Sequence, residues 1–268
     1  QSVPDNADVR VRRIVMITID SSINRLAIHR VPASRPFVWL AEGWEDLLHH
    51  RRSSLAYGCM VSAFGALVFA YSQHPVFIAA VVVAFLFAGP MLGAGLCELS
   101  RCQDEGEPVD FQSSLLGLRR NRKNLLAFSA TLALVAATWL SVSAFFIYGL
   151  TGSIAPSVES TVWGDVLRQV SATQLATYAL VGGSLACAVF MISVVSVPVI
   201  IDRHVNDRTA IRTSLRVTAR DLPAMAVWAL LILALVVIGF ATMLVGMVVI
   251  FPLLGHASWR AYRELVEH

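Results

Sequence analysis

The chain has 268 residues, of which 56% are hydrophobic and only 15% are Asp, Glu, Lys or Arg. A soluble domain of this size carries about a quarter charged residues, so the composition excludes an ordinary soluble domain and indicates a polytopic membrane protein. The net charge of +3 is small and lies beside the apolar stretches, so it favours contact with anionic lipid headgroups over nucleic-acid binding.

Residues 1–35 are predicted to be an N-terminal cytoplasmic arm. Their apolar residues are interrupted by Asp20 and Asn24, and Pro32 follows, so the segment has no core of its own. Residues 36–268 are predicted to form a single six-helix transmembrane domain.

The basic residues are gathered in a few places. Of the 21 Lys and Arg residues, 20 lie in four polar segments, and Arg168 is the exception. The segments are residues 1–53, 98–124, 202–221 and 256–268. Basic residues accumulate on the cytoplasmic side of bacterial membranes. The pattern therefore predicts a multi-pass protein of the bacterial inner (cytoplasmic) membrane, with all four segments and both termini in the cytoplasm.

The apolar stretches between these segments are long enough for six membrane-spanning helices, since a helix crosses the roughly 30 Å hydrocarbon core with about 20 residues. The predicted spans are residues 55–72, 75–97, 125–150, 174–201, 222–239 and 241–259. The last two come from one uninterrupted stretch. A single tilted helix is the alternative there, but the stretch is longer than one span uses, so a hairpin turning near Gly239–Phe240 is favoured.

A basic amphipathic segment precedes each predicted hairpin. Apolar residues on one helical face and Arg residues at the end are typical of a helix in the cytoplasmic headgroup layer. The apolar face of the first segment consists of Phe37, Leu40, Trp44, Leu47 and Leu48. The residues predicted to contact headgroups are Trp44, Arg51, Arg52, Arg119, Arg120, Arg212 and Arg216. The other tryptophans predicted to be interfacial anchors are Trp39, Trp163, Trp228 and Trp259.

The unit of surface helix and hairpin is repeated three times. In each copy a proline lies inside the exit end of the returning helix and a charged cap follows it; the prolines are Pro90, Pro198 and Pro252. Such a proline removes one backbone hydrogen bond and kinks the helix. The predicted fold is therefore an all-α polytopic membrane protein with six transmembrane helices as three hairpins, each preceded by a cytoplasmic amphipathic helix.

Small residues mark the predicted contacts between helices. Gly89 and Gly93 form a GxxxG motif, and Gly58 begins a similar face on the first span, so backbones can approach closely there. Internal packing is the favoured interpretation, and a dimer interface is the alternative. Trp139 lies in the middle of a span, where packing is its default role. The alternative is contact with a neighbouring subunit, a bound lipid or a pigment.

No catalytic, cofactor-binding or metal site is predicted. His74 lies in an outer turn and His256 near the inner end of the last helix, so they cannot share a ligand. The histidines are interpreted as solvated or headgroup residues. An acidic cluster is interpreted as a solvated loop, because a divalent-ion site needs three or more converging oxygen ligands. Its members are Asp104, Glu105, Glu107 and Asp110.

Three blocks of sequence resemble a known family. They are Gly43-Trp44-Glu45-Asp46, Gly89-Pro90-Met91-Leu92-Gly93 with Glu98-Leu99-Ser100-Arg101, and residues 251–265, FPLLGHASWRAYREL. The chain resembles a proteobacterial family of predicted six-span integral-membrane proteins known only as a domain of unknown function. The resemblance covers about residues 36–265, and the last block is its most specific part. It implies six spans and brings no catalytic residues, since none are established for such a family.

These observations favour a non-catalytic accessory or assembly subunit that packs beside a larger energy-transducing membrane complex, respiratory or photosynthetic. The hypothesis rests on the uncharged apolar stretches and on the docking area that the arm and surface helices offer. The alternative is a small transporter or channel for an apolar or weakly polar solute. Transport sites usually combine broken helices with intramembrane ionisable groups, and this chain has the prolines without the charges. Neither hypothesis requires a cofactor.

Overall fold

The structure, a computed structural model, describes residues 28–70, 75–151 and 172–266. Most of the predicted arm, the outer turn that contains His74, and the far-side loop that contains Trp163 and Arg168 lie outside these residues. The described ranges are helical, apart from short connections and an isolated antiparallel bridge between Ile28 and Val266. The predicted all-α class is confirmed.

The described helices follow the hydropathy pattern closely. In chain order they are α1 (Arg35–His49), α2 (Arg51–Ala70), α3 (Pro75–Asp104), α4 (Phe111–Arg120), α5 (Arg122–Thr151), α6 (Ala172–Ser193), α7 (Ser196–Arg203), α8 (Asp207–Arg220), α9 (Leu222–Ala241) and α10 (Met247–Leu265). Local signals start the short helices. The Asp110 and Ser113 side chains form a capping box at the start of α4, and the Asn206 side chain accepts from the Thr209 N–H at the start of α8.

Four helical segments in the described part of the chain are long and apolar enough to cross a membrane. They are Val83–Asp104, Arg122–Phe145, Leu180–Arg203 and Leu222–Ala241. The predicted class of integral membrane protein with several apolar helices is therefore confirmed. The count of six spans remains a prediction.

The last apolar stretch is divided into two helices. The turn between α9 and α10 covers residues 242–246, so it lies a few residues beyond the predicted Gly239–Phe240 position. Met243 and Leu244 adopt positive φ in this turn. The Leu244 N–H donates to the Gly239 carbonyl at 2.8 Å, and the Gly246 N–H donates to the Thr242 hydroxyl at 3.0 Å. These bonds satisfy two backbone N–H groups of the turn. Hydropathy alone does not locate the turn.

The fourth predicted span is broken near its inner end, where α6 stops at Ser193 and α7 begins at Ser196. The Ser214 hydroxyl of α8 lies at the break. It donates to the Met191 carbonyl at 2.7 Å and accepts from the Val195 N–H at 3.5 Å. Pro198 therefore lies in the first turn of a separate short helix, whereas the sequence predicted a kink in one continuous helix.

The last helix, α10, is packed between α2 and α3. Residue numbers increase along α2 in the direction in which they decrease along α10, so these two helices are antiparallel. The pairs are Ser54 with His256, Gly58 with Val248 and Gly65 with Leu244. Residue numbers increase in the same direction along α3 and α10, so these two helices are parallel. The pairs are Leu96 with Gly255, Ser100 with His256 and Asp104 with Arg260.

The charged ends of the helices interlock at one end of the molecule, which we call the polar base (residues 28–54, 98–124, 202–221 and 256–266). Contacts between distant parts of the chain hold it together. They are Val31 N–H to Asp221 (2.7 Å), Arg35 to Glu264 (3.0 Å), His204 to Asn121 (2.9 Å) and the Tyr262 hydroxyl to Asp202. Burial, together with this bond to Asp202, raises the pKa of Tyr262 above its ordinary value. Each of the four segments that carry the described basic residues is therefore in contact with at least one of the others.

The surface helices α1 and α8 pack one face on the rest of the protein, and most of the apolar face predicted for the headgroup layer in α1 stays outside it. In α1, Trp39, Gly43 and Asp46 face inward together with Leu47, whereas Phe37, Trp44 and Leu48 are exposed. The reason is close packing: a methyl group on Gly43 would lie 2.6 Å from the Ala257 nitrogen of α10. In α8 the inward residues are small, namely Ala210, Thr213, Ser214, Val217 and Thr218. Leu215 of α8 is left on the outside, as Phe37, Trp44 and Leu48 are in α1.

Candidate functional site

His256 lies at the centre of a buried polar network inside the polar base. Its side chain is 0% exposed, and Ser54 and Ser100 are equally buried. The Ser54 Oγ lies 2.8 Å from Nε2 of the imidazole, and the Ser100 Oγ lies 2.7 Å from Nδ1. Ser100 donates its single hydroxyl proton to Asp46 Oδ2 at 2.9 Å. Nδ1 must therefore be the donor to Ser100, which leaves Nε2 to accept from Ser54.

Asp46 joins this network to a charged one. The Arg260 guanidinium binds both carboxylate oxygens, Nε to Oδ2 at 2.9 Å and Nη2 to Oδ1 at 2.6 Å. Its third bond, from Nη1 to Asp104 Oδ1, is 2.9 Å long, and Trp259 donates to the other oxygen of Asp104 at 2.9 Å. Asp46 is 2% exposed, so its charge is compensated almost entirely by the protein.

A second ion cluster follows on α3. The Arg101 side chain binds Glu98 in a bidentate manner, at 2.9 and 2.8 Å, and both residues are buried. It also binds Glu107 at 2.9 Å and pairs with Glu105. The hydrogen bond and positive charge of Arg101 lower the pKa of Glu107. Helix α4 closes over this cluster, because Gly117 lies directly against the Glu98 side chain.

The predicted solvated loop is therefore only partly correct. Asp104, Glu105, Glu107 and Asp110 are exposed residues, but each has a partner. Asp104 pairs with Arg260, Glu105 and Glu107 pair with Arg101, and Asp110 caps α4. In the described ranges, no group of three or more His, Cys, Asp and Glu side chains is placed to hold a metal ion.

The histidine interpretation is wrong for His256, which the sequence placed in solvent or headgroups. The error has a clear source. His256 and Arg260 are four residues apart on α10, so they share one helical face. Trp39, Gly43 and Asp46 likewise share one face of α1. This spacing could have indicated which faces of the two helices point inward. His50 and His204 also have partners, Gln103 at 2.6 Å and Asn121 at 2.9 Å.

The arrangement contains serine, histidine and aspartate in hydrogen-bond contact, as hydrolytic sites do. A substrate, however, has no route to it, because Ser54, Ser100 and His256 are all completely buried. Each polar group is instead satisfied by a residue from another helix, so the network links α1, α2, α3 and α10. A fully satisfied buried network of this kind rigidifies a fold and selects one packing arrangement.

Three of the tryptophans predicted to be interfacial anchors are also buried. Trp39, Trp228 and Trp259 are 0% exposed, so they are core residues and not interfacial anchors. Trp39 donates to Glu264 at 2.5 Å and packs edge-to-face on Trp228, with ring centroids 5.9 Å apart. Trp44 is exposed, in agreement with its predicted place at the surface.

The predicted packing glycines differ in how closely another helix approaches them. Gly58 meets the backbone of α10 so closely that an added methyl group would collide with the Val248 carbonyl. A methyl group on Gly89 or Gly93 would meet no atom within 4 Å in the described part of the chain, so internal packing does not occupy that motif. The structure thus shows a close internal approach at Gly58 and none at the GxxxG motif.

The remaining predicted residues lie as follows. Pro90 and Pro252 are buried inside the continuous helices α3 and α10, and Pro198 is buried in α7. Trp139 is half-buried and lies about 3.3 Å from the position of a methyl group on Gly182 of α6. The predicted headgroup arginines are all on the surface; they are Arg51, Arg52, Arg119, Arg120, Arg212 and Arg216.

The fold and the enclosed network define a helical integral membrane protein with a polar base. Comparison with known families agrees: residues 76–202 match a family described as "Predicted integral membrane protein (DUF2189)". The predicted resemblance to a family of unknown function is thereby confirmed for this stretch, which leaves out the C-terminal block. No curated protein and no solved structure matches the chain significantly.

Proposed function

We propose that the protein is a non-catalytic accessory or assembly subunit that packs beside a larger energy-transducing membrane complex, respiratory or photosynthetic. The observation that carries this proposal is the low burial of the membrane helices. Within the chain, only 22–47% of the apolar window of each candidate span is buried. The rest of each helix surface is available to lipid and to a partner subunit.

The chemistry of the polar base supports the same role. Its histidine, serine and aspartate side chains are enclosed and bonded to one another, so they hold helices together and do not face a substrate. A rigid base with apolar helices extending from it is suited to lateral packing against another membrane protein, where van der Waals contact between helices provides the association energy.

We further propose that the chain crosses a bacterial inner membrane six times and keeps both termini in the cytoplasm. Two observations support this topology. The described basic segments meet in the polar base, and α2 and α10 run beside α3 along its apolar length. A phosphatase fused after His268 should be inactive, because it would remain in the cytoplasm. Periplasmic activity of that fusion would overturn the six-span topology.

The surface helices support contact with anionic lipids at the cytoplasmic face. Phe37 and Trp44 of α1 and Leu116 of α4 are exposed apolar residues, and they lie near exposed arginines. This combination suits the headgroup layer. Replacing Arg119 and Arg120 by Gln should lower the retention of phosphatidylglycerol relative to phosphatidylcholine. Equal retention by the variant and the parent protein would contradict the assignment.

The alternative is a small transporter or channel for an apolar or weakly polar solute. The break between α6 and α7 favours it, because discontinuous helices recur at transport sites. The break is already closed by the Ser214 hydroxyl, and the described spans carry their ionisable groups only at the polar base. We therefore keep transport as the second candidate.

Purification from the native membrane in mild detergent distinguishes the two functions. An accessory subunit should co-purify with stoichiometric large subunits. A monodisperse monomer or small homo-oligomer that moves solute in liposomes would overturn the proposal. Benzophenone side chains at Phe145, Leu180 and Leu233, which are exposed on three different helices, locate the partner. We expect protein adducts from one face only, whereas a lone transporter should give none at any of the three positions.

A further inference from the structure

An open apolar cleft of about 550 Å³ lies between α5, α6 and α9. Trp139 and Leu140 of α5 and Ala186 of α6 belong to its walls. The walls also include Trp228 of α9 and Ser258 of α10. Nearly all of the lining is apolar. The side chains with a polar atom are Trp139, Ser193, Trp228 and Ser258.

Trp228, one of the residues that line this cleft, has an unsatisfied polar atom. It is completely buried, yet its indole N–H has no hydrogen-bond partner among the described residues. Buried tryptophans normally find an acceptor. The other two fully buried tryptophans do so, Trp39 with Glu264 at 2.5 Å and Trp259 with Asp104 at 2.9 Å.

The cleft's own serines do not supply the missing acceptor. The Ser193 hydroxyl donates to the Val189 carbonyl at 2.6 Å, and the Ser258 hydroxyl donates to the Leu254 carbonyl at 2.7 Å. Neither hydroxyl makes a hydrogen bond to the indole. Among the described residues the Trp228 N–H therefore has no acceptor, and the cleft is the open space that this residue lines.

The polar end of the cleft lies near the polar base. At 1.5 Å per residue, Trp228 is about 9 Å along α9 from Leu222, and Leu140 is about 27 Å along α5 from Arg122. Ser258 lies two residues before Arg260. The cleft thus starts just beneath the charged helix ends and continues as an apolar channel toward the middle of the membrane helices. An ester group with an attached hydrocarbon chain has the same distribution of polar and apolar atoms.

We propose that this cleft binds an acyl chain of a membrane glycerophospholipid, and that the ester carbonyl of the chain accepts a hydrogen bond from the Trp228 indole N–H. The hydrocarbon contacts the apolar walls, while the ester lies at the end that faces the polar base. A bound lipid supplies the acceptor that the described residues lack. It also fills the space between α5, α6 and α9.

The first experiment compares an ester lipid with an ether lipid. The full-length protein is reconstituted with dioleoyl phosphatidylcholine or its diether analogue, and native mass spectrometry counts the lipid that remains bound after detergent extraction. We expect the ester lipid to be retained about fivefold better, the value of one net hydrogen bond. Trp228→Phe keeps the aromatic ring and should abolish the preference, whereas Trp44→Phe, at the exposed tryptophan, should keep it.

The second experiment fills the cleft. Ala186 lines the cleft and is exposed, so Ala186→Phe can fold and should lose the retained lipid. Ala234→Phe is the matched control on the exposed surface of α9 and should keep it. Circular dichroism verifies that both variants fold. Equal retention by the two variants would overturn the proposal.

Other occupants give different results. If another part of this chain fills the cleft, the parent protein retains no ester-selective lipid. If a second copy fills it, Ala186→Phe lowers the oligomer mass while lipid retention stays the same. Either result refutes the lipid assignment. Loss of lipid from Ala186→Phe together with loss of ester preference from Trp228→Phe supports it.

Discussion

The polar base and the membrane helix α6 are held in opposite ways. In the base, buried charges and hydroxyls from four helices bind one another, and the backbones of α1 and α10 approach closely at Gly43. Among the described helices, α6 makes its main contacts with α7 and α8. Directional polar bonds therefore select the packing of this protein, whereas much of the apolar surface is left open for lipid or a partner. Substitutions in the two regions should have effects of different size.

The largest effect is expected from Asp46→Ala. The substitution leaves the partly buried Arg260 guanidinium without its bidentate partner and removes the acceptor of Ser100, so we expect a loss of about 3–5 kcal/mol in unfolding free energy. A thiol-reactive dye reports unfolding as the labelling of buried Cys97 and Cys102, in addition to that of Cys59 and Cys187, which are exposed in the folded protein. Glu45→Ala, at the exposed neighbouring residue, is the control and should change little. Equal stability of the two variants would show that the network is dispensable.

Two glycines provide the next test. Gly58→Ala forces a methyl group against the Val248 carbonyl and should destabilise the protein by about 1–3 kcal/mol. Gly89→Ala meets open space and should be neutral or stabilising by up to about 1 kcal/mol, since Ala is the better helix former. Both variants are compared by thermal unfolding in the same detergent. A destabilised Gly89→Ala would reveal a tight contact at the GxxxG motif, such as a dimer interface.

A smaller effect is expected at the edge of the network. Ser54→Ala leaves the buried His256 Nε2 without a donor and should cost about 1–2 kcal/mol. Ser53→Ala is the matched change one residue earlier, where the side chain is only half-buried. The two variants are compared in denaturant or thermal unfolding. Identical midpoints for them would contradict the proposed chain of hydrogen bonds from Ser54 to Asp46.

The smallest effect is expected on the open apolar surface. Leu233→Ala on α9 and Phe145→Ala on α5 remove exposed side chains, so the stability of the isolated protein should change by no more than about 0.5 kcal/mol. The same variants should weaken co-purification with a partner if their face is the docking surface. A large loss of stability in the isolated protein would show that these positions are buried by the chain itself or by a tightly bound lipid.

The positions of the helices were largely predictable, because hydropathy and charge vary along the chain with sharp boundaries. Residues 122–151 illustrate this, as a charged start and a long apolar run became α5. The break at Ser193 was less visible, because it depends on a hydroxyl group from Ser214 on another helix. The turn at residues 242–246 was predictable in kind, but its local hydrogen bonds place it a few residues after the predicted Gly239–Phe240 position.

The candidate site was the least predictable part. Asp46 and His256 are separated by more than two hundred residues, and the family resemblance of the blocks that contain them assigns neither a role. Their spacing on α1 and α10 gave a usable signal, because Asp46 shares a helical face with Trp39 and Gly43. The glycine motifs were ambiguous because a glycine permits close approach of another helix, and only the position of that helix determines whether the contact forms.

The sequence by itself determined the class of this protein and the way its charge is distributed, because the cost of placing charges in hydrocarbon acts on each segment independently. Tertiary structure alone decided which polar residues turn inward, which glycine is in contact and which tryptophan lacks a partner. Those outcomes depend on which groups from different helices come together, such as Arg260 and Asp46 at 2.6 Å, and on the absence of an acceptor for the Trp228 indole among the described residues.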